Sequence, residues 1–171
     1  HKLSEQHIVE AEEAFRWADW LLIQNELPQP VVRFAIRTAL RHRLKIVFNP
    51  SPAKNRSLSI ESAVHLLVPN ETEASVLCEN GIYGQLAVRD RQLCWERFRA
   101  EHIVVTLGEA GGEWFGPGRE RIQFSAFSAN VQDTVGAGDA FCGTLTAFLS
   151  EGIEMQDAIL LAHYAAARCI E

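Results

Sequence analysis

Four short apolar runs, separated by stretches with helical periodicity, constrain this chain more than any other feature. They are Trp20-Leu21-Leu22-Ile23-Gln24, Leu44 to Phe48, His65-Leu66-Leu67-Val68 and His102-Ile103-Val104-Val105-Thr106-Leu107. Each is short for a buried helix, and each ends at a polar residue, a proline or a glycine, as buried strands do. Between the first two, Pro28 opens a helix with Val31, Val32, Ala35, Ile36, Ala39 and Leu40 on its buried side. Arg33, Arg37, Arg41 and Arg43 fall mostly on its outer, solvated side. After the third run, Asn70 and Glu73 stand at capping-box spacing before another helix. Strands that alternate with helices predict an α/β layer with a mainly parallel sheet. Right-handed crossovers then gather the strand C-termini on one rim, where ligands of such sheets bind.

The remaining segments fit around that frame. Ser4 caps a first helix expected over 4–18, with Ile8, Ala11, Phe15 and Ala18 at helical spacing. Asn49-Pro50-Ser51-Pro52 is a rigid turn that neither a helix nor a central strand tolerates. A further helix is expected over 85–99. The glycines at 108, 111, 112, 116 and 118 mark a loop and an antiparallel excursion, with strands near 112–115 and 121–127. Two helices close the chain, over 137–150 and 155–169. No internal repeat and no linker divides residues 1–171, so the expectation is one unit.

Charge and cysteine usage exclude several classes of function. A net charge of -6 with no basic stripe argues against a nucleic-acid binder. No uninterrupted apolar run approaches the roughly 18–20 residues of a membrane span. Cys78, Cys94, Cys142 and Cys169 form no CxxC pair, and no histidine stands at metal-finger spacing from them. They read as buried thiols of a cytoplasmic, reducing compartment rather than a disulfide framework. His42, His65, His102 and His163 are scattered without ligand spacing. Trp17, Trp20, Trp95 and Trp114 read as packing residues. The first residues lack the shape of a signal peptide and run almost at once into helical periodicity, which suggests a start inside a larger domain.

The segment richest in chemistry is Asp133-Thr134-Val135-Gly136-Ala137-Gly138-Asp139, followed by the apolar run from Ala140 to Leu149. It reads as a glycine turn that feeds the start of a buried helix. A helix start offers unpaired N–H groups and partial positive charge to an anion. Asp139 in the first turn places a carboxylate beside that anion. One group to take a proton and several donors to hold developing charge are what transfer of a phosphoryl group to a hydroxyl needs. Capping alone would also account for Asn70 and Glu73, and an ordinary first-turn acid for Asp139.

These segments resemble the ribokinase-like, or PfkB, carbohydrate kinase family. Asp133 to Asp139 is similar to the family's C-terminal signature. Asn49-Pro50-Ser51-Pro52-Ala53, Val68-Pro69-Asn70-Glu71-Thr72-Glu73-Ala74 and Val105-Thr106-Leu107-Gly108 follow the family's order and spacing. Leu22-Ile23-Gln24-Asn25-Glu26 resembles the segment that carries a sugar-contacting glutamate in the ribokinase branch, with Asn25 where an apolar residue is common.

The resemblance implies a three-layer ribokinase-like fold, present in part, and ATP-dependent phosphorylation of a sugar hydroxyl, ribose to ribose 5-phosphate. It implies Asp139 as general base and the N–H groups of Gly136, Ala137 and Gly138 as the anion hole. Asn70 and Glu73 would lie near the phosphates and a hydrated magnesium ion. Thr106, Gly108 and Gly111 would line the nucleotide, and Glu26 would touch the sugar. Asp133 and the Val135 carbonyl match positions that hold a monovalent cation such as potassium. The implied partners are a sugar and ATP, with no nucleic acid and no membrane, and a homodimer in the full-length protein. The family's Gly-Gly signature, its early sugar contacts, its lid and its last adenine-pocket segment have no match here. The expectation is therefore that these residues alone do not turn over substrate. A kinase for fructose, a nucleoside or a sugar phosphate is the alternative within the family. A kinase-like module that binds without catalysis is the alternative outside enzymes.

Overall fold

The computed structural model describes residues 3–53, 63–79, 81–118 and 120–171. A six-stranded sheet runs through it in the order of the chain, β1 to β6. β1 (Trp20–Gln24), β2 (Lys45–Asn49), β3 (Val64–Leu67) and β4 (Ala100–Thr106) are parallel neighbours. β5 (Gly112–Phe115) and β6 (Arg121–Phe124) continue the sheet antiparallel. The expected parallel layer and its antiparallel excursion are both present.

Side-chain alternation divides the sheet into two cores. Ile46, Phe48, Leu67, Ile103 and Val105 face one layer, formed by α1 (Glu5–Glu10), α2 (Glu12–Trp17), α3 (Gln29–Arg41), α4 (Glu71–Cys78) and α5 (Val88–Trp95). Val47, Leu66, Val68, Val104 and Trp114 face the other, formed by α6 (Ala137–Ser150) and α7 (Met155–Cys169). Because strand side chains alternate with period two, consecutive residues such as Val104 and Val105 seal opposite faces. That double burial is why these strands read as continuous apolar runs. On α6, Phe141, Cys142 and Leu145 are buried, and on α7 Ala158, Ile159 and Ala162 are. The small residues of α7 let the two helices approach closely.

Several elements differ from the sequence expectation. The helix expected over 4–18 breaks at Ala11, which has φ -90 and ψ 10 and serves as C-cap of α1 and N-cap of α2. No proline or glycine marks that break. The helix expected over 85–99 shortens to α5, preceded by a 3-10 turn, Tyr83–Gln85. Tyr83 is fully buried and anchors the turn, while Arg97 and Phe98 bond to the carbonyls of Cys94 and Trp95, three residues back, which closes the helix. β6 stops at Phe124 instead of running on to 127.

The cysteine reading is also corrected. Cys78 at the end of α4 and Cys94 in α5 form a disulfide, with Cα atoms 5.3 Å apart. Local spacing gave no sign of it, because folding α4 against α5 brings together residues 16 apart in the chain. Cys142 is a buried thiol as expected, and Cys169 is exposed.

Candidate active site

The sheet's C-terminal rim carries a cleft of about 260 Å³. β1 ends in Gln24, with Glu26 just beyond; β2 ends in Asn49, followed by Ser51. Val68 and Asn70 follow β3, Glu73 comes from α4, and Thr106 ends β4. The start of α6 closes the cleft with Gly136, Gly138, Asp139, Phe141 and Cys142.

Backbone pairing holds these ends in register. Gln24 lies opposite Asn49 in the β1–β2 pair, and Asn70 makes an isolated parallel bridge to Thr106. Asn25, the departure from the family pattern, does not line the cleft. Its N–H donates to the Ser51 carbonyl at 3.0 Å and its side-chain amide to the Pro52 carbonyl at 2.9 Å. Gln29 donates in turn to the Asn25 side-chain oxygen. Asn25 thus clamps the β1 loop to the turn after β2, whose Ser51-Pro52 bond is cis.

The capping box at α4 is present in full. Asn70 Oδ1 accepts from the Glu73 N–H, and Glu73 Oε2 accepts from the Asn70 N–H, both at 2.9 Å. Glu73 is buried and still lines the cleft, and no described residue bonds to its Oε1. At α6, Gly136 is the N-cap with φ +84, a conformation that favours glycine. The N–H groups of Ala137, Gly138 and Asp139 have no acceptor within the helix by its geometry. That of Ala137 reaches the Thr134 carbonyl at 3.4 Å, and the Ala140 N–H closes the first turn on Gly136.

Among the described residues, three carboxylates, Glu26, Glu73 and Asp139, share the cleft, and no lysine or arginine lines it. An anion entering it would meet the positive end of α6, and a cation would be needed to offset the acids. The donors are oxygens, with one buried thiol behind them. That set fits magnesium, which takes few protein ligands and keeps several waters. Burial pushes the Cys142 thiol up to about 12, against the opposing effect of its hydrogen bond from Asn49, so it stays protonated.

Not every candidate reaches the cleft. Gly108 (φ +57) opens the 3-10 turn after β4 and Gly111 (φ +86) follows it, and neither lines the cleft. A Cβ on Gly111 would come within 2.0 Å of the Phe124 carbonyl oxygen, so packing alone demands glycine there. Asp133 and Val135 lie on the exposed approach to α6, where Asp133 Oδ1 accepts from the Val135 N–H at 2.9 Å. Ala137 starts α6 without lining the cleft. Gln24, Asn49, Ser51 and Cys142 line it, although the sequence reading gave none of them a role at the site. Their strand-end position was the available signal for the first three.

The histidines are less scattered than their spacing suggests. His65 on β3 and His102 on β4 meet with ring centroids 5.2 Å apart, in a row with Trp20 and Trp114. Glu101 accepts from His65 at 2.7 Å, which makes a three-member group of metal-ligand type. The Trp114 indole N–H donates to His102 Nδ1 at 3.3 Å, so the proton of neutral His102 sits on Nε2, the nitrogen nearer Glu101. Ligating histidines show the reverse, with the second nitrogen donating outward. Burial, then the neighbouring His65, lowers the His102 pKa. The group is a satisfied packing cluster.

The chain is similar to known sugar kinases. The chain is 30% identical over 155 residues to a ribokinase of Staphylococcus aureus, covering 91% of this chain and 50% of that protein. It is 30% identical over 160 residues to a deoxyribokinase of Salmonella typhi, covering 92% of this chain and 51% of that protein. A Cryptococcus neoformans ribokinase solved in complex with ADP superposes with a TM-score of 0.77 at 28% identity, covering 91% of this chain and 55% of that one. The chain spans about half the length of the curated relatives it matches. The family model for pfkB family carbohydrate kinases matches residues 1–171, and the chain belongs to that family.

Proposed function

We propose that the full-length protein phosphorylates a sugar hydroxyl with ATP, and that this chain carries its phosphoryl-transfer corner. The observation behind this reading is one cleft lined by Asp139, by Gly136 and Gly138 at the start of α6, and by the hydrogen-bonded Asn70–Glu73 pair. Asp139 takes the proton of the attacking hydroxyl. The N–H groups of Gly136, Ala137 and Gly138 hold the charge that develops on the transferring phosphoryl group. Glu73 and Asn70 would hold a hydrated magnesium ion, which would neutralise phosphate charge. Thr106, Gly108 and Gly111 border the nucleotide, and Glu26 binds the sugar from the β1 loop. Asp133 and the Val135 carbonyl hold a monovalent cation. Ribose is the favoured substrate and a homodimer the assembly; the cytoplasm is favoured because the curated relatives are metabolic enzymes, not by the cysteines, two of which pair. The equal identity to a deoxyribokinase makes 2-deoxyribose the second candidate.

Asp139→Asn in the full-length protein tests the reading. Turnover of ATP with ribose, 2-deoxyribose and fructose is expected to fall by about a thousandfold or more, while calorimetry still detects sugar binding. Turnover within tenfold of wild type on the sugar that wild type prefers would show that Asp139 is not the base.

A further inference from the structure

Among the described residues, one side chain reaches the Asp139 carboxylate. Gln24, at the end of β1, donates from Nε2 to Asp139 Oδ1 at 2.5 Å, across 115 residues of sequence. No other described residue bonds to that carboxylate, and Asp139 lines the cleft. We infer that Gln24 is the positioning residue for Asp139, holding Oδ1 so that Oδ2 is the atom that takes the substrate proton. The inference rests on the reading of Asp139 as general base.

Three observations support it. Asp139 is exposed in the first turn of its helix, where a short side chain without a partner exchanges rotamers freely. Gln24 is itself held: its backbone pairs with Asn49 in β2, and the next residue, Asn25, is fastened to Ser51 and Pro52. The donor is also a neutral amide. A guanidinium in that place would pair with the carboxylate and hold both oxygens, as arginine forks do. An amide fixes one oxygen and leaves the acid's charge and second oxygen available.

The substrate O–H proton moves to Asp139 Oδ2 as the hydroxyl oxygen forms its bond to the γ-phosphorus. The bond from that phosphorus to the bridging oxygen breaks, and its electron pair leaves with ADP. Holding Oδ2 on the line of the hydroxyl raises the rate of this step without adding a contact to the sugar.

The test uses the full-length protein, magnesium, ATP and whichever of ribose, 2-deoxyribose and fructose wild type turns over fastest. Gln24→Leu removes the donor, and Gln24→Glu keeps the shape but sets a carboxylate against a carboxylate. Gln24→Leu is expected to lower kcat by about ten- to a hundredfold, with the sugar Kd within about threefold and the melting temperature nearly unchanged. Gln24→Glu is expected to be slower still. A kcat within twofold of wild type for Gln24→Leu would overturn the inference. So would a sugar Kd that weakens in step with kcat, since Gln24 would then be a sugar contact. Asp139→Asn, assayed alongside, separates the two levels: if it is inactive while Gln24→Leu is unaffected, only the positioning role fails. If Asp139→Asn remains active, the base assignment fails first.

Discussion

Glu113 and Asp139 are both carboxylates met by side chains from distant parts of the chain, and they are built for opposite ends. Glu113, on β5, is fully buried. Its Oε1 accepts from Arg91 and Arg121, each at 2.6 Å, and its Oε2 accepts from the Tyr83 hydroxyl at 3.0 Å. Trp95 donates to that hydroxyl at 2.9 Å. Burial, then the nearby Glu113, pushes the Tyr83 pKa far above its ordinary value, so the phenol remains a donor. Every oxygen is engaged, and nothing is left for a ligand. Asp139 is exposed, has a single neutral partner among the described residues and opens to a cleft. A saturated carboxylate ties β5 and β6 to α5 and the 3-10 turn, whereas an unsaturated one on a helix start is free to do chemistry.

The comparison breaks if the two carboxylates respond alike to mutation. Glu113→Gln leaves two arginines facing a neutral amide in a buried site, and it is expected to destabilise the fold by about 3–5 kcal/mol. Urea unfolding measures this, and a loss below about 1 kcal/mol would mean that water or the arginines' own exposure already compensates the charge.

The opposite signature is expected where the cleft is open. Gly138 lines it, and a Cβ built there meets nothing within 4 Å. Gly138→Ala therefore fits the free protein, and alanine is the better helix former, so stability should hold or rise slightly. The methyl group would occupy space that the transferring phosphoryl group needs, and kcat/KM should fall by about a hundredfold, measured in the full-length protein. Lost stability with intact turnover would reverse the distinction between the two regions.

How much of this was legible in the sequence follows the same division. Buried strands announce themselves because both faces are covered, and the start of α6 announces itself because glycine and an acid precede an apolar run. Asn70 and Glu73 were readable because their bonds are local, three residues apart. Contacts set by tertiary packing were not readable. Gln24 meets Asp139 only because β1 ends and α6 begins on one rim, and Glu113 meets Arg91 only because the fold brings β5 to α5. The Cys78–Cys94 disulfide has the same origin. The break at Ala11 has no sequence signature of its own.

The smallest effect expected comes from His163, which extends the comparison to a base. It is buried on α7 against Phe124, Phe127 and Phe141, and its Nδ1 has no partner among the described residues. Burial lowers its pKa, opposed by a hydrogen bond with the Gly111 backbone. The folded state therefore prefers the neutral ring. Above the unfolded value of about 6.5 both states are neutral, and the full contribution to stability is present. As pH falls below that value the unfolded chain takes up the proton first, and stability declines until the folded value is passed. His102, lowered in the same direction, adds to the slope. Urea unfolding between pH 7.5 and 5 should thus show falling stability, with a shallower fall in His163→Leu. An unchanged slope in that variant would mean that the ring is protonated as easily inside the fold as outside it, and that the aromatic pocket admits water.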